Sequence, residues 1–178
     1  MHDKFSISSL LLILAISLCY SFIVGAGYYG FSNDFYGEYY KNNLIYSSFR
    51  EAAGSLLSTL TVFNTHIGVE LTSFFLALSA GLLIRSVFIS INKYSINIFL
   101  LIFLITLHAH PIIMSTSGAM RQGWVMSFFY IGLSIIILNN KILLSFLFFF
   151  LLIFFHKSGL IFFLLCFFTI FILRLKKK

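Results

Sequence analysis

The chain has 178 residues, of which 60% are hydrophobic, 19% aromatic and 10% charged, with 24 phenylalanines and one proline. A soluble domain carries about 25% charged residues. There are too few here to coat a globule in water, which excludes a soluble enzyme, a disordered tail and a nucleic-acid reader.

The formal charge of +7 reflects scarce acids, 12 Lys and Arg against 5 Asp and Glu. In so apolar a chain such a surplus marks membrane topology rather than nucleic acid. Cys19 and Cys166 both lie inside apolar runs, so neither a disulfide framework nor a zinc site can be built from them. The expected architecture is all-α: a polytopic helical membrane protein, a single multi-spanning domain over residues 1–178, with about six transmembrane helices and one long outer loop.

A helix needs about 20 apolar residues, at about 1.5 Å each, to cross the hydrocarbon core. The first expected span is residues 7–26. Lys4, the apolar stretch and Val24-Gly25-Ala26 also have the outline of a signal peptide, but the stretch is long for that purpose, so a retained helix is expected.

Residues 28–66 form the one long polar stretch. It holds Asp34, Glu38 and Glu51, with Glu70 just beyond, and six of the nine tyrosines: Tyr28, Tyr29, Tyr36, Tyr39, Tyr40 and Tyr46. The tyrosines read either as an aromatic belt at the lipid headgroups or as a platform on which sugar rings stack. Asp34 and Glu38 would share a helix face; paired carboxylates can divide acid and base work, or can simply be solvated. Residues 51–63 read as a short amphipathic helix with Leu56, Leu57, Leu60 and Phe63 on one side.

The second and third spans are expected at residues 68–89 and 96–114. His108 and His110, just before Pro111, would point to opposite sides of a helix and so make no metal pair. In the loop that follows, Ser117 is a good N-cap for a fourth span over residues 123–138, which puts Arg121 in the first turn beside free backbone N–H groups. A cation is unfavourable there unless an anion arrives; with one, helix end and guanidinium form a phosphate site. The plainer reading is an ordinary loop charge.

The fifth and sixth runs, residues 142–155 and 160–173, each extend only about 21 Å as a helix. His156, Lys157, Ser158 and Gly159 interrupt them, which predicts two short helices joined by a tight turn, with Ser158 capping the second. His156 reads as an interfacial imidazole bonded to backbone, or as a proton carrier or anion partner.

Charge fixes the expected orientation. With the N-terminus in the cytoplasm, the inner side holds the eight residues Lys4, Arg85, Lys93, Lys141, Arg174, Lys176, Lys177 and Lys178. The outer side holds four: Lys41, Arg50, Arg121 and Lys157. The positive-inside rule favours this arrangement, with both termini cytoplasmic. Apart from His2, every histidine then falls on or near the outer face.

Several of these residues match a known pattern. Ser117-Gly118-Ala119-Met120-Arg121-Gln122, a span, Lys141, a second span and then Phe155-His156-Lys157-Ser158-Gly159-Leu160-Ile161 together resemble the EpsG-like branch of the bacterial polysaccharide polymerases, relatives of the Wzy O-antigen and capsule polymerases. In that family an Arg-Gln opens one span and a Phe-His-x-Ser opens a later one. Asn33-Asp34-Phe35-Tyr36 looks like the family's Gly-x-Asp-Tyr segment, and Glu51 falls where a Glu-Pro often stands, with Ala52 in place of the proline. Ser117-Gly118 replaces the common Asn before the Arg-Gln. The resemblance covers residues 28–163. Family members usually have further spans after the His-x-Ser helix, so the resemblance is to an N-terminal part of the usual length, and a truncated, split or half-size relative is expected.

The resemblance implies a multi-pass glycosyltransferase of the bacterial inner (cytoplasmic) membrane in exopolysaccharide, capsule or O-antigen biosynthesis. It would join undecaprenyl-pyrophosphate-linked oligosaccharide repeats on the outer face: a sugar hydroxyl of one repeat attacks the anomeric carbon of the growing chain, and lipid pyrophosphate leaves. That reaction needs a cation for the pyrophosphate and a base for the hydroxyl. The implied catalytic residues are Arg121 for the pyrophosphate, His156 as a pyrophosphate contact or base, and Asp34 or Glu51 as base. Gln122, Lys157, Ser158 and Arg50 would assist binding, Tyr36, Tyr39 and Tyr40 would line the sugar path, and the lipid tail would lie between helices. No cofactor is expected, and no metal, because no carboxylate cluster suits Mg²⁺. Membrane lipid and other polysaccharide export components are the further expected partners, and nucleic acid is not. The alternative from another class is a non-catalytic membrane subunit, or a transporter or flippase fragment, of a polysaccharide export system. A transporter carries ionisable groups near the midplane, whereas Glu70 and Arg85 lie near the ends of their span.

Overall fold

A computed structural model describes residues 2–27, 67–113, 115, 120–139, 141–155 and 157–175. These residues are helical throughout apart from short turns. The helices are α1 (His2–Gly25), α2 (Ile67–Ser90), α3 (Ile96–Leu107), a single turn α4 (His110–Ile113), α5 (Met120–Asn139), α6 (Ile142–Phe155) and α7 (Lys157–Leu175). The tyrosine-rich stretch, the Asp34–Glu38 pair and the amphipathic segment over residues 51–63 lie outside the described residues.

The helices alternate in direction, and α1 and α2 fix the frame. At one end of this antiparallel pair, Ser21 Oγ donates to the Glu70 carbonyl at 2.7 Å. At the other, Arg85 donates from Nε to Ser9 Oγ at 3.1 Å and from Nη2 to Ser6 Oγ at 2.6 Å. Midway the helices touch through small residues: a Cβ at Gly81 would come within 2.9 Å of Ile13 and 3.0 Å of the Phe103 ring. Elsewhere on α2 the buried hydroxyls of Thr72 and Ser73 return to their own helix, donating to the carbonyls of Gly68 and Val69 at 2.7 Å. Helices in lipid gain nothing from hydrophobic exclusion, so close backbone approach through Gly, Ala, Ser and Thr is what binds them.

Gly27, at φ 80°, ends α1 in the left-handed conformation that glycine adopts without strain. The turn from α2 to α3 uses Asn92 at φ 54°, a conformation asparagine tolerates better than most side chains. α3 then returns along α1 and α2, and its Phe99 sits edge-on to both Phe5 and Phe88, at 5.9 and 5.8 Å between ring centres. α5 packs on α2, α6 on α5 and α7 on α6. The α5–α6 contact is closed by Phe149 over Gly132, where a Cβ would overlap the ring. The α6–α7 hairpin is held by Phe146 against Phe163 and Phe167, at 5.2 and 5.9 Å.

Two helices are long and apolar enough to cross a membrane, Phe5–Gly25 with mean hydropathy 2.4 and Ile67–Ser90 with 1.9. The outward faces are apolar: Leu11 is 64% exposed, Phe22 67% and Leu143 87%. A soluble protein does not carry such a coat, and a bilayer solvates it. α6, with 14 residues, extends about 21 Å, against a hydrocarbon core of about 30 Å. α7 is longer than the sequence predicts, beginning at Lys157 and reaching Leu175.

One expectation is corrected. The third apolar run is not continuous over residues 96–114: α3 stops at Leu107, and a turn at His108 and Ala109 leads into α4. The cause is Pro111. It has no N–H, so in a continuous helix it would leave the Leu107 carbonyl unbonded. The chain breaks there instead, and Tyr20 Oη of α1 donates to that carbonyl at 3.2 Å. Tyr20 is buried, so Tyr20→Phe leaves the carbonyl in apolar surroundings without this donor. We predict a loss of about 1–3 kcal/mol in unfolding free energy, measured by denaturant titration in lipid–detergent micelles, with α1 and α3 losing amide-exchange protection first.

Candidate functional site

The alternation of helices brings particular chain segments to one end of the bundle. α1 ends beside Glu70, where α2 begins. α3 ends there too, because Leu107 meets Tyr20. α5 starts at the same end and is fastened to α2 by Trp124, whose Nε1 donates to Thr72 Oγ1 at 3.0 Å. The Trp124 ring also lies 4.9 Å from that of Phe75. α6 returns to this end, and α7 leaves it, with Gly159 pressed against the Leu152 carbonyl so closely that a Cβ would overlap it.

The first turns of α5 and α7 therefore share one end of the molecule. They contain Arg121 and Gln122 in one case and Lys157 and Ser158 in the other. Each first turn leaves backbone N–H groups without helical partners and carries the positive end of a helix dipole. Two such ends in basic sequence form a place where an anion is favoured.

The α5 end is held rigidly. A Cβ at Gly123 would overlap the Ser115 carbonyl oxygen and come within 2.7 Å of Thr72 Cγ2. Ser115 Oγ contacts Met126 Sδ at 3.2 Å, and Ser127 Oγ donates to the Gly123 carbonyl at 2.8 Å. Gly123 is thus what lets α5 lie against both α2 and the preceding segment. Below the paired first turns, between α5, α6 and α7, lies an apolar groove of about 380 Å³ lined by Phe129, Leu133, Ile136, Phe149, Phe162 and Cys166 among others. Phe162 is five residues beyond Lys157, or about 7.5 Å along the helix.

Of the residues singled out from sequence, Arg121 and Gln122 lie in the first turn of α5, and Gln122 is exposed. Lys157 and Ser158 lie in the first turn of α7. Ser158 was expected to cap that helix; the helix already begins at Lys157, which makes Ser158 part of the turn rather than its cap. Asp34, Tyr36, Tyr39, Tyr40, Arg50, Glu51 and His156 lie outside the described residues, as does Ser117. His108 closes α3, with its ring Nδ1 2.9 Å from the Leu104 carbonyl.

Sequence reasoning missed the Trp124–Thr72 link and the packing of Glu70 on Gly25. A tryptophan shortly after a charged helix start, the only one in the chain, was the available signal for the first. The second has no signature in one sequence.

The fold and this end of it define a helical membrane protein in which two helix N-termini lie at the same end, with an apolar groove between α5, α6 and α7. The chain belongs to the EpsG family: the family's sequence model matches residues 5–178. This is the family of EpsG-like and Wzy-type polysaccharide polymerases. No curated protein and no solved structure is detectably similar to the chain.

Because Trp124 is the only tryptophan, its fluorescence reports the α2–α5 link directly. Thr72→Val removes the acceptor for the indole N–H while keeping the volume. We predict emission at shorter wavelength and a loss of about 1–3 kcal/mol in stability; Gly123→Ala, which pushes α5 off α2, is expected to move the emission further than Thr72→Val.

Proposed function

We propose that the chain is a membrane polysaccharide polymerase, a glycosyltransferase that joins undecaprenyl-pyrophosphate-linked oligosaccharide repeats at the outer face of the bacterial cytoplasmic membrane. The observation that carries this reading is that the Arg-Gln turn of α5 and the Lys-Ser turn of α7 begin at the same end of a bundle that belongs to the EpsG family. The reaction moves negative charge onto a leaving pyrophosphate. Free N–H groups, two helix dipoles and the cations of Arg121 and Lys157 stabilise that charge as it develops. Arg121 grips two phosphate oxygens with its planar fork, and His156, at the α6–α7 turn, contacts the same group. The polyprenyl tail lies in the groove lined by Phe129 and Phe162. The sugars extend toward the segment bearing Tyr36, Tyr39 and Tyr40, whose rings offer flat apolar faces to pyranose rings.

In this reading all six longer helices cross or enter the bilayer, and the Glu70 end faces outward. Lys4, Arg85 and Arg174 fall toward the opposite ends of their helices, Lys93 and Lys141 lie between helices at that same end, and the positive-inside rule assigns that side to the cytoplasm. Reporters active only outside the membrane are expected to work when fused after Tyr46 or Ser117 and to fail after Lys178. Activity after Lys178 contradicts this topology.

The chemical test is polymer length in cells lacking the chromosomal copy and supplied with variants at equal membrane levels. Arg121→Lys keeps the charge but loses the fork, and we predict loss of most chain extension; Arg121→Ala and His156→Ala lose nearly all. Lys93→Ala, at the other end, is nearly silent. Removing one charge-assisted hydrogen bond costs roughly 1.5–3 kcal/mol, about tenfold to over a hundredfold in rate if it forms in the transition state. Normal polymer from well-inserted Arg121→Ala contradicts the proposal.

A further inference from the structure

We propose that Arg85 holds the phosphate of an anionic phospholipid at the end of the bundle opposite Glu70. This rests on the membrane setting of the fold and not on the polymerase reading above. Arg85 lies in α2, five residues before its end at Ser90, or about 7.5 Å along the helix. Its side chain is half-buried. A guanidinium keeps its charge at any ordinary pH, and a charge held among apolar helices needs an opposite charge or water.

α1 builds the seat. Arg85 Nε donates to Ser9 Oγ at 3.1 Å, and Nη2 donates to Ser6 Oγ at 2.6 Å. Ser9 is fully buried, and its own hydroxyl donates to the Ser6 carbonyl at 3.1 Å. Its oxygen is thereby left to accept from Arg85. Ser6 stands about one turn nearer the start of α1 than Ser9, so the guanidinium runs along α1 toward the end of the bundle. Phe5 keeps the two helices in this register. Its buried ring lies 6.2 Å from that of Phe88 on α2 and 5.9 Å from that of Phe99 on α3.

The two bonds use one edge of the planar fork, Nε–H with the nearer Nη2–H. The other edge, Nη1–H with the second Nη2–H, presents two parallel donors, the arrangement that grips two oxygens of one phosphate. The serine hydroxyls are neutral acceptors and leave the positive charge uncompensated. Among the described residues Arg85 forms no ion pair, and Glu70 belongs to the opposite end of α2. Lys93, exposed just past α2, adds positive charge at the Arg85 end. At the depth of a helix end a bilayer supplies one abundant anion, the phosphate of its lipids. A long cationic side chain that only reaches for water needs no seat. Here two hydroxyls of a neighbouring helix fix the fork and leave its phosphate-gripping edge open.

The test uses the full chain purified in mild detergent. It is incubated with equal amounts of phosphatidylglycerol and phosphatidylcholine of identical acyl chains and repurified, and the lipid retained per chain is counted by mass spectrometry. The wild type is expected to retain phosphatidylglycerol over phosphatidylcholine by about fivefold to tenfold. Arg85→Gln is expected to abolish that preference, and Arg85→Lys, which keeps the charge without the fork, to keep only part of it. Ser6→Ala combined with Ser9→Ala keeps the charge but frees the fork, and is expected to lower the preference severalfold. Lys141→Gln removes one charge from the α5–α6 corner of the same end and is expected to change nothing. None of these readings involves polymer, so the polymerase reading stands or falls separately. An unchanged preference in Arg85→Gln overturns the site, and an equal loss from Lys141→Gln overturns it in favour of diffuse surface charge. If Arg85→Gln does not insert, the wild type and the double serine variant decide. Equal retention of the two lipids by the wild type, displacement of phosphatidylglycerol by excess inorganic phosphate, or an unchanged preference in the double serine variant overturns a lipid phosphate held at Arg85.

Discussion

The close approach of α2 to its two neighbours sets the position of every group at the Glu70 end. On one side α1 comes in through Gly25 and Ser21, and on the other α5 comes in through Gly123 and Trp124. Neither contact has room for another methyl group at its glycine. In lipid there is no water to expel between helices, so geometry of this kind supplies most of the association. The hydroxyls of Thr72 and Ser73 satisfy their own helix, and that leaves Thr72 Oγ1 able to accept the indole N–H as well. Loosening α2 from α5 would shift the first turn of α5, which carries Arg121 and Gln122.

The same economy of polar groups explains the break after α3. A backbone carbonyl in apolar surroundings must be paired. Pro111 deprives Leu107 of its helical partner, and Tyr20 replaces it. The chain thereby gains a non-helical corner at this end rather than a straight helix through it. α5 can then begin beside α2, and its unpaired N–H groups face the same way as those of α7. Two positive dipole ends in basic sequence at one end of the bundle favour an anion there, and the proposed pyrophosphate would supply one. Arg85, at the far end, is oriented by the hydroxyls of Ser6 and Ser9.

Composition and apolar run length made the helical membrane class legible, and the Arg-Gln and His-x-Ser elements made the family legible. The His156–Gly159 break, four polar or small residues in the middle of an apolar run, foretold two helices packed as a hairpin, although Lys157, Ser158 and Gly159 belong to α7 rather than to the turn. The break at Pro111 was also within reach: counting four residues back from a proline identifies the carbonyl it orphans. The run of apolar residues around it hid that signal. What could not be read was tertiary. Glu70 was noticed as an acid next to the polar stretch, but nothing in one sequence places it against Gly25, forty-five positions earlier. The use of Ser6, Ser9 and Ser21 of α1 in approaching α2 follows only from the packing.

The central claim is that a lipid pyrophosphate lies between the first turns of α5 and α7 with its tail in the groove below. Photocrosslinking tests this most directly, using undecaprenyl pyrophosphate with a photoreactive group near the head of the tail and the full chain in lipid nanodiscs. The account predicts labelling concentrated at Phe129, Phe162 and Cys166, and competition by unlabelled undecaprenyl pyrophosphate but not by undecaprenol. Labelling spread over the outward faces of α1 and α6, at residues such as Leu11 and Leu143, or equal competition by the two lipids, would contradict it.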